Sequence, residues 1–217
     1  MNIEKARFNM IEQQIRTWDV LDLDVLELLT VVKRENFVPD AYKSLAFVDT
    51  QIPLPRGACM FAPKMEARIL QEVNPKKHEH VLEIGSGSGY MAALLAHRAR
   101  HVTTVEIEPE LHALAKANLA ANGITNVDAE LGNGAQGWSA KAPYDVIVIS
   151  ASLPVLPDAF LQQLKVGGRL FAIVGEPPVM SAQLITRASD TAYNTVKIFE
   201  TDVPPLRDAV TPSHFTF

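Results

Sequence analysis

The sequence has almost no cysteine, no long apolar run and no excess of positive charge. A single cysteine among 217 residues excludes an internal disulfide framework. No apolar run approaches the ~18 residues that a membrane-spanning helix needs. The N-terminal segment carries charges where a secretory peptide would carry its apolar stretch. We therefore expect a cytoplasmic protein that does not act in a membrane.

The charge balance excludes a second class of function. The chain has 20 Lys and Arg against 25 Asp and Glu, which gives a formal net charge of −5 at pH 7. A protein whose main task is to grip nucleic acid needs a positive surface to neutralise phosphates. We therefore expect no nucleic-acid partner. The histidines also lack cysteine or carboxylate partners at ligand spacing, so no metal site is predicted.

What the sequence does contain is an ordinary globular composition, 47% hydrophobic, whose pattern changes at about residue 78. Before that point, apolar residues recur at helical spacing in two stripes: Phe8, Ile11 and Ile15, then Leu21, Val25, Leu28, Leu29 and Val32. Asp22 or Asp24 is the predicted N-cap of the second helix. We expect residues 1–77 to form a helical and loop cap on a core, residues 78–217, of the same domain.

From residue 80 onward, short runs rich in Val and Ile alternate with helical segments. The predicted strands span residues 80–84, 101–107, 127–131, 144–150, 169–174, 182–187 and 195–201. The clearest helix begins with Pro109 and stops at Gly123, in keeping with proline-first and glycine-last helix chemistry. This alternation predicts an α/β fold with a mostly parallel sheet, completed by an antiparallel pair at its C-terminal end.

A glycine-rich turn follows the first predicted strand of this core. Gly85, Gly87 and Gly89 allow the backbone to turn sharply and to approach a ligand at a helix N-terminus. A dinucleotide-binding turn reads G-x-G-x-x-G, and its third glycine would fall on Tyr90, so the spacing excludes that class. The observed G-x-G-x-G turn after Glu83 favours a nucleoside that carries an amino-acid tail, because the carboxylate can meet an ammonium group.

Two further segments are predicted to reach the same edge of the sheet. Glu106, followed by Ile107, ends the second strand, where a carboxylate can accept hydrogen bonds from both hydroxyls of a ribose. The alternative for Glu106 is a solvated acid. The tripeptide 132–134 follows the third strand, and its central Asn133 amide is placed to bind an adenine amino group. The alternative there is a turn that merely tolerates a positive φ.

Several motifs together resemble one known family. The segments are Val31–Pro39, Glu83–Tyr90, Gly132–Trp138, Ala142–Asp145 and Gln163–Arg169. The glycine turn with its two acids is similar to the S-adenosylmethionine site of class I methyltransferases. Taken with the other segments, it resembles the protein-L-isoaspartate O-methyltransferase family along most of the chain.

The resemblance implies a Rossmann-like seven-stranded methyltransferase sheet with an N-terminal helical cap, and it makes residues 78–217 the S-adenosylmethionine-binding core. It also implies transfer of a methyl group to isoaspartyl residues in damaged proteins or peptides, with S-adenosylhomocysteine as the product. The cofactor-binding residues it implies are Glu83, Gly85, Ser86, Gly87, Gly89, Tyr90, Glu106, Ile107, Gly132, Asn133 and Gly134.

The acceptor side departs from the family pattern. Family members carry Thr-Ile-Ser-Gln-Pro after the proline-rich loop, whereas this chain has Cys59, Met60, Phe61, Ala62 and Pro63. Phe61 therefore stands at the position of the family serine, and no catalytic residue is assigned. We expect Met60, Phe61 and Pro63 to line the methyl-donor pocket or its lid.

Three hypotheses follow for the function. The first is isoaspartyl methylation, which needs no general base because the attacking carboxylate is already ionised at neutral pH. The second is a regulatory module that binds the cofactor without catalysis, with Phe61 closing the acceptor cleft. The third is a methyltransferase for a small apolar acceptor, which an aromatic ring at this position suits better than a serine hydroxyl.

Overall fold

A computed structural model describes residues 2–211 of the chain, and its centre is a seven-stranded sheet. The strands are β1 (Ile52–Pro53), β2 (Cys59–Met60), β3 (His80–Ile84), β4 (His101–Glu106), β5 (Val127–Leu131), β6 (Tyr144–Leu153), β7 (Leu164–Glu176), β8 (Val179–Arg187) and β9 (Tyr193–Thr201). The α-helices are α1 (Ile3–Met10), α2 (Leu23–Val31), α3 (Pro63–Val73), α4 (Tyr90–Arg98), α5 (Pro109–Ala121) and α6 (Asp158–Gln162).

The order of the strands in the large sheet is β5-β4-β3-β6-β7-β8-β9. The first five of these are parallel, and β8 runs antiparallel to both β7 and β9. Side chains from both faces of the central strands are fully buried, as the Val and Ile runs require of a parallel sheet covered by helices. The predicted seven strands and the antiparallel C-terminal pair are confirmed.

The largest difference from the predicted strand boundaries is in β7. The predicted run begins at residue 169, whereas the strand begins at Leu164, which pairs with Tyr144. The intervening Gly168 lies so close to β6 that a β-carbon there would be 2.9 Å from the carbonyl oxygen of Asp145. The apolar pattern misses this stretch because glycine, which lets the two backbones approach, has no side chain to show a strand period.

The first helical stripe is only partly as predicted. Ile11 and Ile15 are buried, but Phe8 is 63% exposed, and Leu21 of the second stripe is 64% exposed. After α1 the chain continues through a wider π-helical turn from Ile11 to Ile15. Such a turn changes the angular phase of the helix, so the 3.6-residue spacing that would align Phe8 with Ile11 and Ile15 does not hold across it.

The second stripe begins at a capped helix terminus. The carboxylate of Asp22 accepts hydrogen bonds from the backbone N–H groups of Asp24 and Val25, at 2.9 and 3.2 Å. Asp22, of the two predicted residues, is therefore the N-cap of α2. Leu21 precedes this cap and its N–H group bonds to Gln71, so its side chain is outside the helical face.

The N-terminal segment packs directly on the sheet. Buried side chains of α2 and α3, such as Leu29 and Leu70, belong to the same hydrophobic cluster as Val81 and Val146 of the central strands. Residues 212–217 of the predicted core lie outside the described residues. Within residues 2–211, no helix is long and apolar enough to cross a membrane, and no three His, Cys, Asp or Glu side chains come together as a metal site.

Candidate functional site

A cleft lies at the carboxyl ends of β3, β4 and β6. The chain runs outward from β3 through β4 to β5 and then returns to place β6 on the other side of β3. In open α/β sheets, ligands bind in the crevice at such a reversal of strand order. The cleft has a volume of about 120 Å³. Its lining includes Gly57, Ala58, Cys59, Phe61, Gly85, Gly87, Glu106, Ile107, Leu111, Ser150, Ala151, Pro204, Pro205, Leu206 and Arg207.

The glycine turn forms the floor of this cleft. Gly85 and Gly89 have φ values of +93° and +84°, which side-chain-bearing residues rarely adopt. A β-carbon on Gly89 would also lie 3.1 Å from the carbonyl oxygen of Ala115, so the turn packs against α5 without room for a larger residue. The positive φ explains glycine at both positions, and the close approach of α5 is a second reason at Gly89.

Glu106 is a buried residue of the cleft and not a solvated acid. It is 6% exposed, and its carboxylate accepts hydrogen bonds from the backbone N–H groups of Gly87, Ile107 and Glu108 at 3.0, 3.0 and 3.1 Å. These bonds tie the glycine turn to the end of β4. The solvated alternative from the sequence is therefore wrong, and the carboxylate is held at the position predicted for it.

Glu83 is a second, fully buried carboxyl group. Its oxygens accept hydrogen bonds from the hydroxyls of Thr104 at 2.7 Å and Ser150 at 3.0 Å. Burial raises the pKa of Glu83 to about 8, and the nearby Glu106 adds to the shift while the two hydroxyls oppose it. Within the part of the chain that the structure describes, Glu83 has no cationic partner.

Ser150 is a cleft residue that the sequence analysis missed. It lies on β6, the neighbour of β3, and both its side chain and its backbone approach the glycine turn, with Gly85 facing the Ser150 carbonyl oxygen. Its signal was available, because it ends a predicted strand at the edge where ligands bind. Ser86 lies in the same region, and its hydroxyl bonds to Thr104 at 2.7 Å.

Residues 59–63, which we call the acceptor segment, reach the cleft through a small hairpin. β1 and β2 pair antiparallel, and this pairing places Cys59 and Phe61 along the cleft. Phe61 is 6% exposed. Burial raises the pKa of the Cys59 thiol, which donates to the side-chain oxygen of Gln51, so this cysteine is not an activated thiolate. The ring of Phe61, at the position that the resemblance matches to the family serine, forms part of the wall of the cleft.

The neighbours of Phe61 have different positions. Met60 lines a smaller cavity beside the cleft, which Phe61, Glu66 and Glu83 also line. Ala62 precedes α3 and is half-buried. Pro63 is not among the lining residues of either cavity, contrary to expectation. It is the first residue of α3, where its fixed φ suits a helix start, and its ring is buried there.

Tyr90 begins α4 directly after the glycine turn. It is 2% exposed, its ring lies 5.3 Å from that of Phe37, and burial raises the pKa of its hydroxyl so that the group stays protonated. The ring also helps to line the smaller cavity. Its role in binding the cofactor stays a prediction.

The tripeptide Gly132, Asn133 and Gly134 lies at the same edge of the sheet but not in the cleft lining. The side-chain oxygen of Asn133 accepts from the N–H of Ala135 at 2.9 Å, and its amide nitrogen donates to Asp208 at 3.0 Å. The two glycines allow close packing, since β-carbons there would meet Trp138 at 2.7 Å and Ile84 at 2.8 Å. Their role in binding adenine stays a prediction.

Residues 204–207 supply one wall of the cleft, which nothing in the sequence predicted. Ser152 holds it beside β6 through backbone bonds to Pro204 at 3.0 Å and Leu206 at 2.8 Å. Arg207 then forms an ion pair with Glu108 and donates to the carbonyl oxygen of Arg56. The segment thereby joins the proline-rich loop to the start of α5 across the cleft.

Comparison with known proteins identifies the family of this chain. The family model for protein-L-isoaspartate(D-aspartate) O-methyltransferase matches residues 5–207. A protein-L-isoaspartate O-methyltransferase 2 of Anaeromyxobacter sp. (strain Fw109-5) is 39% identical over 87% of this chain and 77% of its own length. The protein-L-isoaspartate O-methyltransferase 1 of Rhodopseudomonas palustris (strain HaA2) is 41% identical over 88% of this chain and 77% of its own length.

Solved structures agree with the sequence relatives. A protein-L-isoaspartate O-methyltransferase aligns over 94% of this chain and 65% of its own, with 25% identity and a TM-score of 0.79. A Plasmodium falciparum structure in complex with S-adenosyl-L-homocysteine aligns over 95% of this chain and 99% of its own, with a TM-score of 0.77; at 19% identity it shows the fold alone. The resemblance found in the sequence is confirmed: this chain belongs to the protein-L-isoaspartate(D-aspartate) O-methyltransferase family.

Proposed function

We propose that this protein transfers a methyl group from S-adenosylmethionine to isoaspartyl residues of damaged proteins and peptides. The observation that carries the proposal is a pair of buried carboxyl groups, Glu83 and Glu106, on either side of a glycine turn at the carboxyl edge of the sheet. Membership of the family supports the same reaction.

The residues around the cleft fit a cofactor with an ammonium group and a ribose. Glu83 is a buried carboxyl group whose two oxygens each accept one hydroxyl, and an ammonium group would supply the cationic partner that residues 2–211 do not provide. Glu106 would accept the two ribose hydroxyls. Gly85, Gly87 and Ser86 would border the amino-acid end, Ile107 the ribose face, and Gly132 to Gly134 the adenine end.

The cofactor supplies an activated methyl group on a sulfonium, and the chain supplies position. An isoaspartyl carboxylate is ionised at neutral pH, so the protein has no need to remove a proton from it. Catalysis then depends on holding the attacking oxygen in line and on excluding water. Phe61, Ala58 and the 204–206 segment form an apolar wall suited to the second task.

The partners we propose are damaged proteins and peptides in the cytoplasm. The net charge of −5 favours such partners over nucleic acid, because a negative surface repels phosphates.

The direct test is a transfer assay with labelled S-adenosylmethionine. The wild-type protein is expected to methylate a peptide that contains isoaspartate and to leave the matched aspartyl peptide unlabelled. Calorimetry with S-adenosylhomocysteine runs beside it. Binding without transfer to any peptide would favour the regulatory module, whereas transfer to a small apolar acid alone would favour the third hypothesis. Absence of binding would contradict the proposed function.

Glu83 is expected to make cofactor affinity depend on pH. With a pKa of about 8, its carboxyl group is protonated in the free protein at lower pH, whereas a bound ammonium group favours the ionised form. Binding therefore releases a proton, and affinity should rise by up to about tenfold per pH unit between about pH 6 and 7.5. This range lies below the pKa of an α-amino group, about 7.7–8.0.

Calorimetry at the two ends of this pH range measures the dependence of cofactor affinity on pH. Glu83→Gln should bind more weakly and lose most of the slope, because glutamine has no proton to release. Equal slopes for the two proteins would show that another group is responsible.

A further inference from the structure

A buried ion pair lies directly beneath the acceptor segment. Arg34, 1% exposed, and Glu66, 3% exposed, are in contact through Nη1 and a carboxylate oxygen. Arg34 is the first residue of the 3₁₀ turn that follows α2, and Glu66 lies in the first turn of α3, five residues after Phe61. Burial raises the pKa of Glu66 to about 8, and the Arg34 guanidinium opposes that rise. Burying an arginine with a carboxyl group is costly unless each is paired and hydrogen-bonded. The other hydrogen bonds of Arg34 show which parts of the chain the pair holds in place.

Those donors reach two loop carbonyl groups. Nη2 of Arg34 donates to the carbonyl oxygen of Phe61 at 2.7 Å, and Nε donates to the carbonyl oxygen of Ala46 at 3.1 Å. The guanidinium group also lies over the ring of Tyr90, 5.2 Å from its centre. One side chain thus connects the acceptor segment to the residue that follows the glycine turn.

We propose that Arg34 is a positioning residue for the methyl acceptor. By holding the Phe61 carbonyl, it sets the backbone of residues 59–61 and hence the apolar wall of the cleft. Its effect on catalysis rests on the proposed function, whereas its effect on the position of the segment does not. A lysine retains the charge but lacks the planar set of donors that reaches three acceptors at once.

The chain offers a matched arrangement at the other end of α3. Arg169 pairs with Glu79 and donates to the carbonyl oxygens of Val73 at 2.5 Å and Asn74 at 2.7 Å. Arg169 is in register with Val146 near the start of β6, whereas the cleft lies at the carboxyl end of that strand. Arg169 therefore bonds to a glutamate and two carbonyl groups, as Arg34 does, without contacting the acceptor segment.

The test compares Arg34→Lys with Arg169→Lys. Cys59 is the single cysteine of the chain and lies two residues from Phe61, so its alkylation rate reports the position of the segment without any need for activity. At a temperature at which both variants remain folded, Arg34→Lys should speed alkylation by about tenfold, as expected when a segment opens more often. Arg169→Lys should leave the alkylation rate within about twofold of wild type, because the contacts it weakens lie away from the acceptor segment.

Kinetics with the isoaspartyl peptide form the second measurement. Arg34→Lys should lower kcat/KM for the peptide by about 10- to 100-fold, the usual effect of a misplaced acceptor, with the affinity for S-adenosylhomocysteine changed far less. Glu66→Gln, which keeps an oxygen acceptor for Arg34, should fall between wild type and Arg34→Lys in both measurements. Glu79→Gln is its matched control and should resemble wild type.

The outcomes separate the two proposals. Equal alkylation rates for the two lysine variants, or rates that follow only their loss of stability, would overturn the positioning role. If Arg34→Lys does not fold, Glu66→Gln against Glu79→Gln decides the question by the same comparison. If the wild type lacks isoaspartyl activity, the proposed function fails, and the alkylation rates still test whether Arg34 positions the segment.

Discussion

Replacing Glu106 by alanine is expected to weaken the binding of S-adenosylhomocysteine by about 1.5–3 kcal/mol, or roughly 10- to 150-fold. The change removes the acceptor proposed for the ribose hydroxyls. It also releases three backbone N–H groups, those of Gly87, Ile107 and Glu108, that the carboxylate now holds. Both effects act on the same edge of the cleft, so we expect one of the largest losses of affinity from a single substitution.

Isothermal calorimetry checks this expectation. The control is Glu110→Ala, since Glu110 is an acid four residues away, is more than half exposed and pairs with Arg56 outside the glycine turn. Its loss should leave affinity nearly unchanged. NAD should not displace S-adenosylhomocysteine from the wild type, because the turn lacks the spacing of a pyrophosphate site. An unchanged affinity in Glu106→Ala would remove the ribose role from this residue.

The double change Phe61→Ser with Ala62→Gln is expected to raise isoaspartyl methylation if the wild type is slow. It restores a hydroxyl and an amide where the family has them, and it removes ring volume from the wall of the cleft. A polar substrate group left without a partner there costs about 1–3 kcal/mol, so the gain in kcat/KM should be about tenfold or more. Cofactor affinity should change little, since Glu83 and Glu106 are untouched.

Stability has to be measured beside activity in this experiment. Phe61 is 6% exposed, and its replacement by a small residue is expected to cost about 3–5 kcal/mol of unfolding free energy. Ala62→Gln alone is the control for the amide, because Ala62 is half-buried at the start of α3. If the wild type methylates the isoaspartyl peptide rapidly and the double variant does so more slowly, the cleft accommodates the ring of Phe61 and the reaction does not need the missing hydroxyl.

Much of the fold was predictable because its signals are local. Strand periods, the proline that begins α5 and the glycines of the turn each depend on a few neighbouring residues, and all appear in the structure. The same holds for Glu106, which a single rule about strand ends placed correctly. Where a local signal was lost, the prediction failed: the π-helical turn changed the phase after Phe8, and the glycines before residue 169 hid the start of β7.

The sequence by itself therefore determined the family, the seven-stranded sheet and the places of Glu83 and Glu106 near the carboxyl ends of β3 and β4. Only the tertiary structure decided what surrounds them. Arg34 lies 27 residues before the Phe61 carbonyl it holds, and Arg207 lies 99 residues after the Glu108 with which it pairs. No spacing rule joins such residues, because their contacts arise from the packing of whole elements and not from the conformation of any one segment.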